Sequence, residues 1–129
     1  MSFMIETSVA IAMRDKDVAI ISKIAQLDRL LIMSAVTRVE LEGGVYRDPA
    51  LSASRRVRLD AMLKSIAVVS FNDAEAQAYG AIVAHAGYSR RKLLDRMIAA
   101  NALMHRATLV TLNAGDFADV PGLNVLDWG

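Results

Sequence analysis

Glu6, Glu40, Asp95 and Asp116 lie far apart in the chain, each where an apolar run gives way to a loop or on a helix adjoining such a run. Acids so placed can be gathered at one edge of a sheet. Carboxylates brought together repel one another unless a cation sits among them. The pattern therefore points to divalent-metal binding and chemistry on a phosphate backbone.

The elements that must position these acids are readable from apolar periodicity. Runs at 3–6, 30–34, 66–70 and 108–111 have the length and composition of strands buried on both faces, and 123–126 supplies a candidate fifth. Helical patterns fall between them, at 17–29, 35–43, 50–64, about 73–86 and about 93–106, with a further short helix expected after Glu6. Asn72 and Glu75 have the spacing of a helix capping pair, and Gly87 is placed to end the helix they begin. Strands alternating with helices predict an α/β fold whose parallel sheet is covered on both faces. Ligands of such folds bind beyond the carboxyl ends of the strands.

Each acid also has a purely structural reading. Glu6 ends the first strand and can point into a crevice, or it can be an exposed acid capping the helix that Thr7 and Ser8 begin. Glu40 can project back over the end of the second strand, or it can close a Thr37-x-x-Glu40 capping box; Glu42 is expected to meet solvent. Asp95 opens the apolar segment Met97-Ile98-Ala99-Ala100 at a helix start that favours an anion, or it pairs with Arg91 or Arg96. Asn113 and Asp116 can orient and coordinate a hydrated cation, or they form an Asx-type turn. Arg90, Arg91 and Lys92 are candidate contacts to nucleic-acid phosphates.

Composition narrows the field. The chain has 129 residues and is 54% hydrophobic, enough for one domain, expected over 1–129, with a substantial core. Cysteine is absent and only His85 and His105 are present, which removes disulfides and Cys/His zinc sites; both histidines read as helix residues. An acid at position 6 interrupts the N-terminus before a signal-like region develops, and no apolar run approaches the ~18 residues of a membrane span, so a cytoplasmic protein is expected. Net charge is +1, but setting the four acids aside leaves 15 basic against 10 acidic residues, a weak bias toward a polyanionic partner. There is no G-x-x-x-x-G-K-[ST] loop, dinucleotide fingerprint or G-x-S-x-G elbow, and few aromatics exist on which bases could stack.

The ordered segments Met4-Ile5-Glu6-Thr7-Ser8-Val9, Ser34-Ala35-Val36-Thr37-Arg38-Val39-Glu40-Leu41 with Gly44, and Asp95-Arg96-Met97-Ile98-Ala99-Ala100 carry a resemblance, continued by Thr111-Leu112-Asn113, Asp116-Phe117, Pro121-Gly122-Leu123 and Asp127-Trp128. Together they resemble a PIN-domain ribonuclease of the VapC-like toxin type, over essentially the whole chain. The resemblance implies an α/β/α sandwich around a four- to five-stranded parallel sheet. It also implies an endoribonuclease toxin that cleaves tRNA or rRNA, with Glu6, Glu40, Asp95 and Asp116 holding Mg2+ or Mn2+. The cation would lower the pKa of a bound water, align it on the scissile phosphate and stabilise the leaving oxygen. Thr7, Ser34, Thr111 and Asn113 would orient the carboxylates. Implied partners are a cognate VapB-like antitoxin, a second toxin subunit in a homodimer, and operator DNA reached only through the antitoxin.

The chain departs from the family at one position. Glu6 stands where the family ordinarily has aspartate. The extra methylene moves the carboxylate by about one carbon–carbon bond, and a misplacement near 1 Å can cost about a hundredfold in rate. Two explanations of this departure stand open, a natural variant whose backbone recedes to fit glutamate and a deliberately attenuated toxin, and the rival reading from another class is a PIN scaffold that binds antitoxin or RNA without cutting.

Overall fold

A computed structural model describes residues 2–129. Five strands, β1 (Phe3–Ile5), β2 (Leu31–Ser34), β3 (Ala67–Val69), β4 (Thr108–Thr111) and β5 (Val125–Asp127), form one sheet in the order β3-β2-β1-β4-β5, with every pairing parallel. The expected sheet is present, with its fifth strand. Order runs down from β3 to β1 and then jumps to β4, so the direction of winding reverses between β1 and β4. In open α/β sheets that reversal opens a crevice beyond the strand ends.

The strands divide the core by their two-residue period. Met4, Ile32 and Leu109 face one side and pack with Ile82 of α5 (Asp73–Ala86) and Ile98, Ala99 and Ala102 of α6 (Leu93–Met104). Ile5, Met33 and Val110 face the other. They pack with Val9 of α1 (Thr7–Arg14), Ile20 of α2 (Val18–Ala25), Leu41 and Val45 of α3 (Ala35–Arg47), and Leu59 and Met62 of α4 (Ser52–Met62). The result is helices on both faces of the sheet.

Local chemistry sets the helix limits. Asp17 caps α2 by accepting from Ala19 N, and Ser34 caps α3 by accepting from Val36 N. Glu75 Oε1 accepts from Asn72 N at 2.8 Å, as the capping spacing predicts, and Gly87, at φ 86°, ends α5.

Three readings need correction. The segment 66–70 was expected to be buried on both faces, but β3 is an edge strand with Ala67 and Val68 exposed. Helix α2 stops at Ala25 rather than near 29, because Gln26 N and Leu27 N turn back to Lys23 O and Ile24 O. Helix α3 runs past residue 43 to Arg47, through both Gly43 and Gly44, with Leu41 and Val45 anchoring it in the core. Among the described residues, no helix is long and apolar enough to cross a membrane.

Candidate active site

Glu6 follows β1 directly and is the N-cap of α1, yet it is only 5% exposed. A carboxylate so buried needs compensation, and it receives three hydrogen bonds: Ser8 N donates to Oε2 at 3.0 Å, and Ser8 Oγ and Thr111 Oγ1 each donate to Oε1 at 2.5 Å. The two hydroxyls are themselves oriented, since Ser8 Oγ accepts from Leu112 N and Thr111 Oγ1 from Asn113 N, each at 3.0 Å. With their lone pairs facing backbone donors, their protons are left for Glu6. The capping reading of Glu6 therefore holds, but the acid is not exposed.

Glu40 sits on the second turn of α3. Thr7 Oγ1, at the start of α1, donates to Glu40 Oε1 at 2.7 Å and lies 3.1 Å from Thr37 Oγ1. The capping-box alternative fails because Ser34 is the cap and Thr37 lies fully buried inside the helix. Glu42, expected in solvent, is half-buried and accepts from Arg38 and Arg56, with Arg56 the main reason its carboxyl is held down at about 2.

Asp95 occupies the first turn of α6, whose following residues Ile98–Ala102 are buried against the sheet and fix the direction of its N-terminus. Asp116 lies in a single 3-10 turn, Ala114–Phe117, held by the buried Phe117 ring and by its own N–H bonded to Asn113 O at 3.0 Å. The four acids converge electrostatically. The Asp95 carboxyl is pushed up to about 6, first by burial and then by the charges of Glu6, Asp116 and Glu40; Lys92 opposes this more weakly. Asp95 makes no ion pair with Arg91 or Arg96. Indeed none of the four acids forms a salt bridge among the described residues.

An all-oxygen donor set with unrelieved mutual repulsion fits a hard divalent cation. Among the described residues, no group of three or more His, Cys, Asp or Glu side chains is placed so that together they could hold a metal ion.

The other predicted residues divide. Thr7 and Thr111 touch the acids directly. Ser34 does not: its hydroxyl accepts from Val36 N and donates to Asn101 Oδ1 at 2.6 Å. The exposed Asn113 contributes its backbone N–H to Thr111, and its side chain makes no hydrogen bond among the described residues. Arg90 and Arg91 are exposed, whereas Lys92 Nζ is drawn 3.1 Å from Asp119 Oδ2, which also accepts from Arg96 at 3.0 Å. His85 and His105 are exposed, and neither side chain makes a hydrogen bond among the described residues.

Two contributors lie outside the candidate site residues read from the sequence. Ser8 supplies two of the three hydrogen bonds to Glu6. Asn101, fully buried, joins α6 to the ends of β2 and β3 by accepting from Ser34 and donating to Ser70 O at 3.0 Å. Its signal was a lone amide among small apolar residues on a helix face.

Glu6 and Thr111 thus meet at the carboxyl ends of β1 and β4, where the strand order reverses, and the charges of Glu6, Asp116 and Glu40 act on Asp95. The PIN domain family model matches residues 3–123, nearly the whole length. The chain belongs to the PIN domain family. PIN-domain toxins are generally nucleases, and PIN nucleases typically use divalent metal ions. The fold is VapC-like. It is similar to a chain in the DNA-bound VapBC2 complex of Rickettsia felis, with TM-score 0.87, 23% identity and 100% of each chain covered. It is likewise similar to a chain in DNA-bound VapBC from Salmonella typhimurium, with TM-score 0.85, 24% identity, and 100% of this chain and 99% of that one covered. For VapBC-1 of nontypeable Haemophilus influenzae the TM-score is 0.80 at 26% identity, covering 99% and 98%. No curated protein matches the PIN domain chain by sequence.

Proposed function

We propose that this PIN domain, acting as one unit over residues 1–129, is a metal-dependent endoribonuclease toxin that cleaves tRNA or rRNA in the cytoplasm and is silenced by a VapB-like antitoxin. The observation that carries the reading is the PIN domain match over residues 3–123 together with Glu6 and Glu40 held by Thr111 and Thr7 and Asp95 left without an ion pair among the described residues. Glu6, Glu40, Asp95 and Asp116 are the candidate ligands for Mg2+ or Mn2+. When bound, such a cation supplies an activated water and charge stabilisation at the scissile phosphate. Thr7 keeps Glu40 in place, Ser8 and Thr111 keep Glu6 in place, and Ser34 acts through Asn101 on the seating of α6. The Asn113 backbone fixes the Thr111 hydroxyl, and Arg90 and Arg91 are available to RNA phosphates in a way that Lys92, paired with Asp119, is not.

Similarity to VapBC complexes, two of them bound to DNA, supports a VapB-like antitoxin as partner; that the antitoxin covers the acidic site and carries the chain to operator DNA, and that toxin subunits pair, belongs to the same proposal. The deciding test is cleavage of total tRNA and rRNA with magnesium, manganese or chelator. Cleavage abolished by chelator and by Asp95→Asn supports the nuclease; cleavage that survives chelator refutes it.

A second reading has its own observation. A carboxylate offers about four lone-pair sites, and Glu6 already spends three on Ser8 and Thr111. An acid so engaged is a weakened metal ligand. On this reading the chain is an attenuated nuclease or a scaffold that binds antitoxin or RNA with little turnover.

A further inference from the structure

Beside Glu40 a groove of about 650 Å³ runs along α3 between α1 and α4, with Thr7 and Glu40 at one end and Arg14, Arg47 and Arg55 along it. Its floor is formed by Gly43 and Gly44, two consecutive glycines inside a helix. Glycine is the least favourable ordinary residue in a helix interior, so their presence asks for a spatial reason. A Cβ on Gly44 would stand 3.0 Å from Arg14 Nη1, while one on Gly43 would meet nothing and would simply fill the groove.

Two of the arginines are held and the third is free among the described residues. Arg14 is only 4% exposed, its Nε and Nη2 are fixed on Asp15 at 3.0 and 3.3 Å, and its Nη1 makes no hydrogen bond among the described residues. Arg55 Nη1 donates to Gly44 O at 2.8 Å, a neutral partner that leaves its charge uncompensated. Arg47 has neither an ion pair nor a side-chain hydrogen bond among the described residues. Three guanidinium groups thus face one groove against a single flanking acid, Asp15, with Glu40 reserved for the acidic centre at its end.

We propose that this groove grips the single-stranded RNA backbone beside the acidic centre, with Arg14, Arg47 and Arg55 contacting successive phosphates next to the scissile one and the two glycines giving the backbone room to approach. Planar guanidinium groups match phosphate oxygens in pairs, and the scarcity of aromatics agrees with a grip on backbone rather than bases. The proposal rests on the ribonuclease reading for the identity of the polyanion, but its test does not require cleavage.

The test titrates a labelled oligouridylate into the full chain in chelator across a range of salt, read by fluorescence anisotropy, for the wild type, Arg47→Gln and Arg47→Gln/Arg55→Gln. Glutamine at 55 keeps a donor for Gly44 O, and thermal unfolding checks that each variant is folded. For single strands the slope of log K against log salt is about 0.7 per phosphate contact, so it should flatten by about 0.7 in the single variant and about 1.4 in the double. Affinity at low salt should fall about tenfold per arginine. Unchanged slopes in folded variants, or a wild-type chain that does not bind the oligouridylate, overturn the proposal. So does loss of antitoxin binding with the RNA slope intact, which would make the groove a protein-docking surface. A chain that binds RNA through these arginines yet never cuts it upholds the groove while refuting the nuclease.

Discussion

Thr111 Oγ1 donates to Glu6 Oε1 at 2.5 Å across 105 positions of sequence. The end of β4 thereby holds the acid that ends β1, across the boundary where the sheet reverses its order. The same hydroxyl accepts from Asn113 N, so one side chain couples Glu6 to the loop that carries Asp116.

Thr111→Val keeps the shape of this side chain and removes both bonds. It leaves a buried carboxylate with two donors instead of three and strands the Asn113 N–H. A loss of about 2–3 kcal/mol is expected, read as a lower urea midpoint at unchanged m-value. A variant as stable as the wild type would mean that the Thr111 bond contributes little to holding Glu6.

Glu6→Asp draws the carboxylate back by about one carbon–carbon bond, away from both Ser8 and Thr111. Weaker bonds to those hydroxyls should cost about 1–2 kcal/mol of stability. Metal-dependent tRNA cleavage is expected to rise, by up to about a hundredfold if the longer side chain misplaces the cation by about 1 Å. Equal rates in the two chains would make Glu6 a fully competent ligand and end the attenuation reading.

Asp119 accepts from both Lys92 and Arg96, which is why its carboxyl is held below the ordinary range, with Lys92 the larger cause. These cations flank Asp95 in sequence, and Asp119 lies three residues beyond Asp116, so the cluster ties together the two segments that bear acids. Asp119→Ala leaves the buried Arg96 with the Gly87 carbonyl as its remaining partner. The expected loss is about 2 kcal/mol, together with weaker Mn2+ binding by calorimetry; unaltered Mn2+ affinity would confine Asp119 to a stability role.

Much of this was legible in the residues. Met4, Ile32 and Leu109 on one face and Ile5, Met33 and Val110 on the other follow from period-two burial in short apolar runs, and the Asn72–Glu75 cap with its Gly87 stop was readable from spacing alone. Helix α3 was read too short because Gly43 and Gly44 are local breakers, overridden by Leu41 and Val45 packing on the sheet. Edge position made β3 more exposed than its apolar composition implied. At the site, the acids could be picked out by their places at element ends. Hydroxyl direction could not, because Ser8 and Thr111 are aimed at Glu6 by the Leu112 and Asn113 N–H groups that only the folded turn supplies.

The raised Asp95 carboxyl makes a signed prediction. Its value moves from 3.8 to about 6, chiefly through burial and then through Glu6, Asp116 and Glu40. The folded chain therefore takes up this proton more readily than the unfolded chain. In chelator, Asp95 should cost stability above pH about 6, and the loss should be recovered as pH falls from about 6 toward 3.8. Asp95→Asn removes the charge, so it should be the more stable chain at pH 8, with the difference shrinking as pH falls through that window. Saturating Mg2+ should invert the comparison, because the cation needs the ionised carboxylate, and the Mg2+-induced rise in melting temperature should fade below pH about 6. Melting temperatures of the two chains across pH, with and without Mg2+, decide it: a wild type and Asp95→Asn pair that run parallel in both series would remove Asp95 from the proposed metal centre.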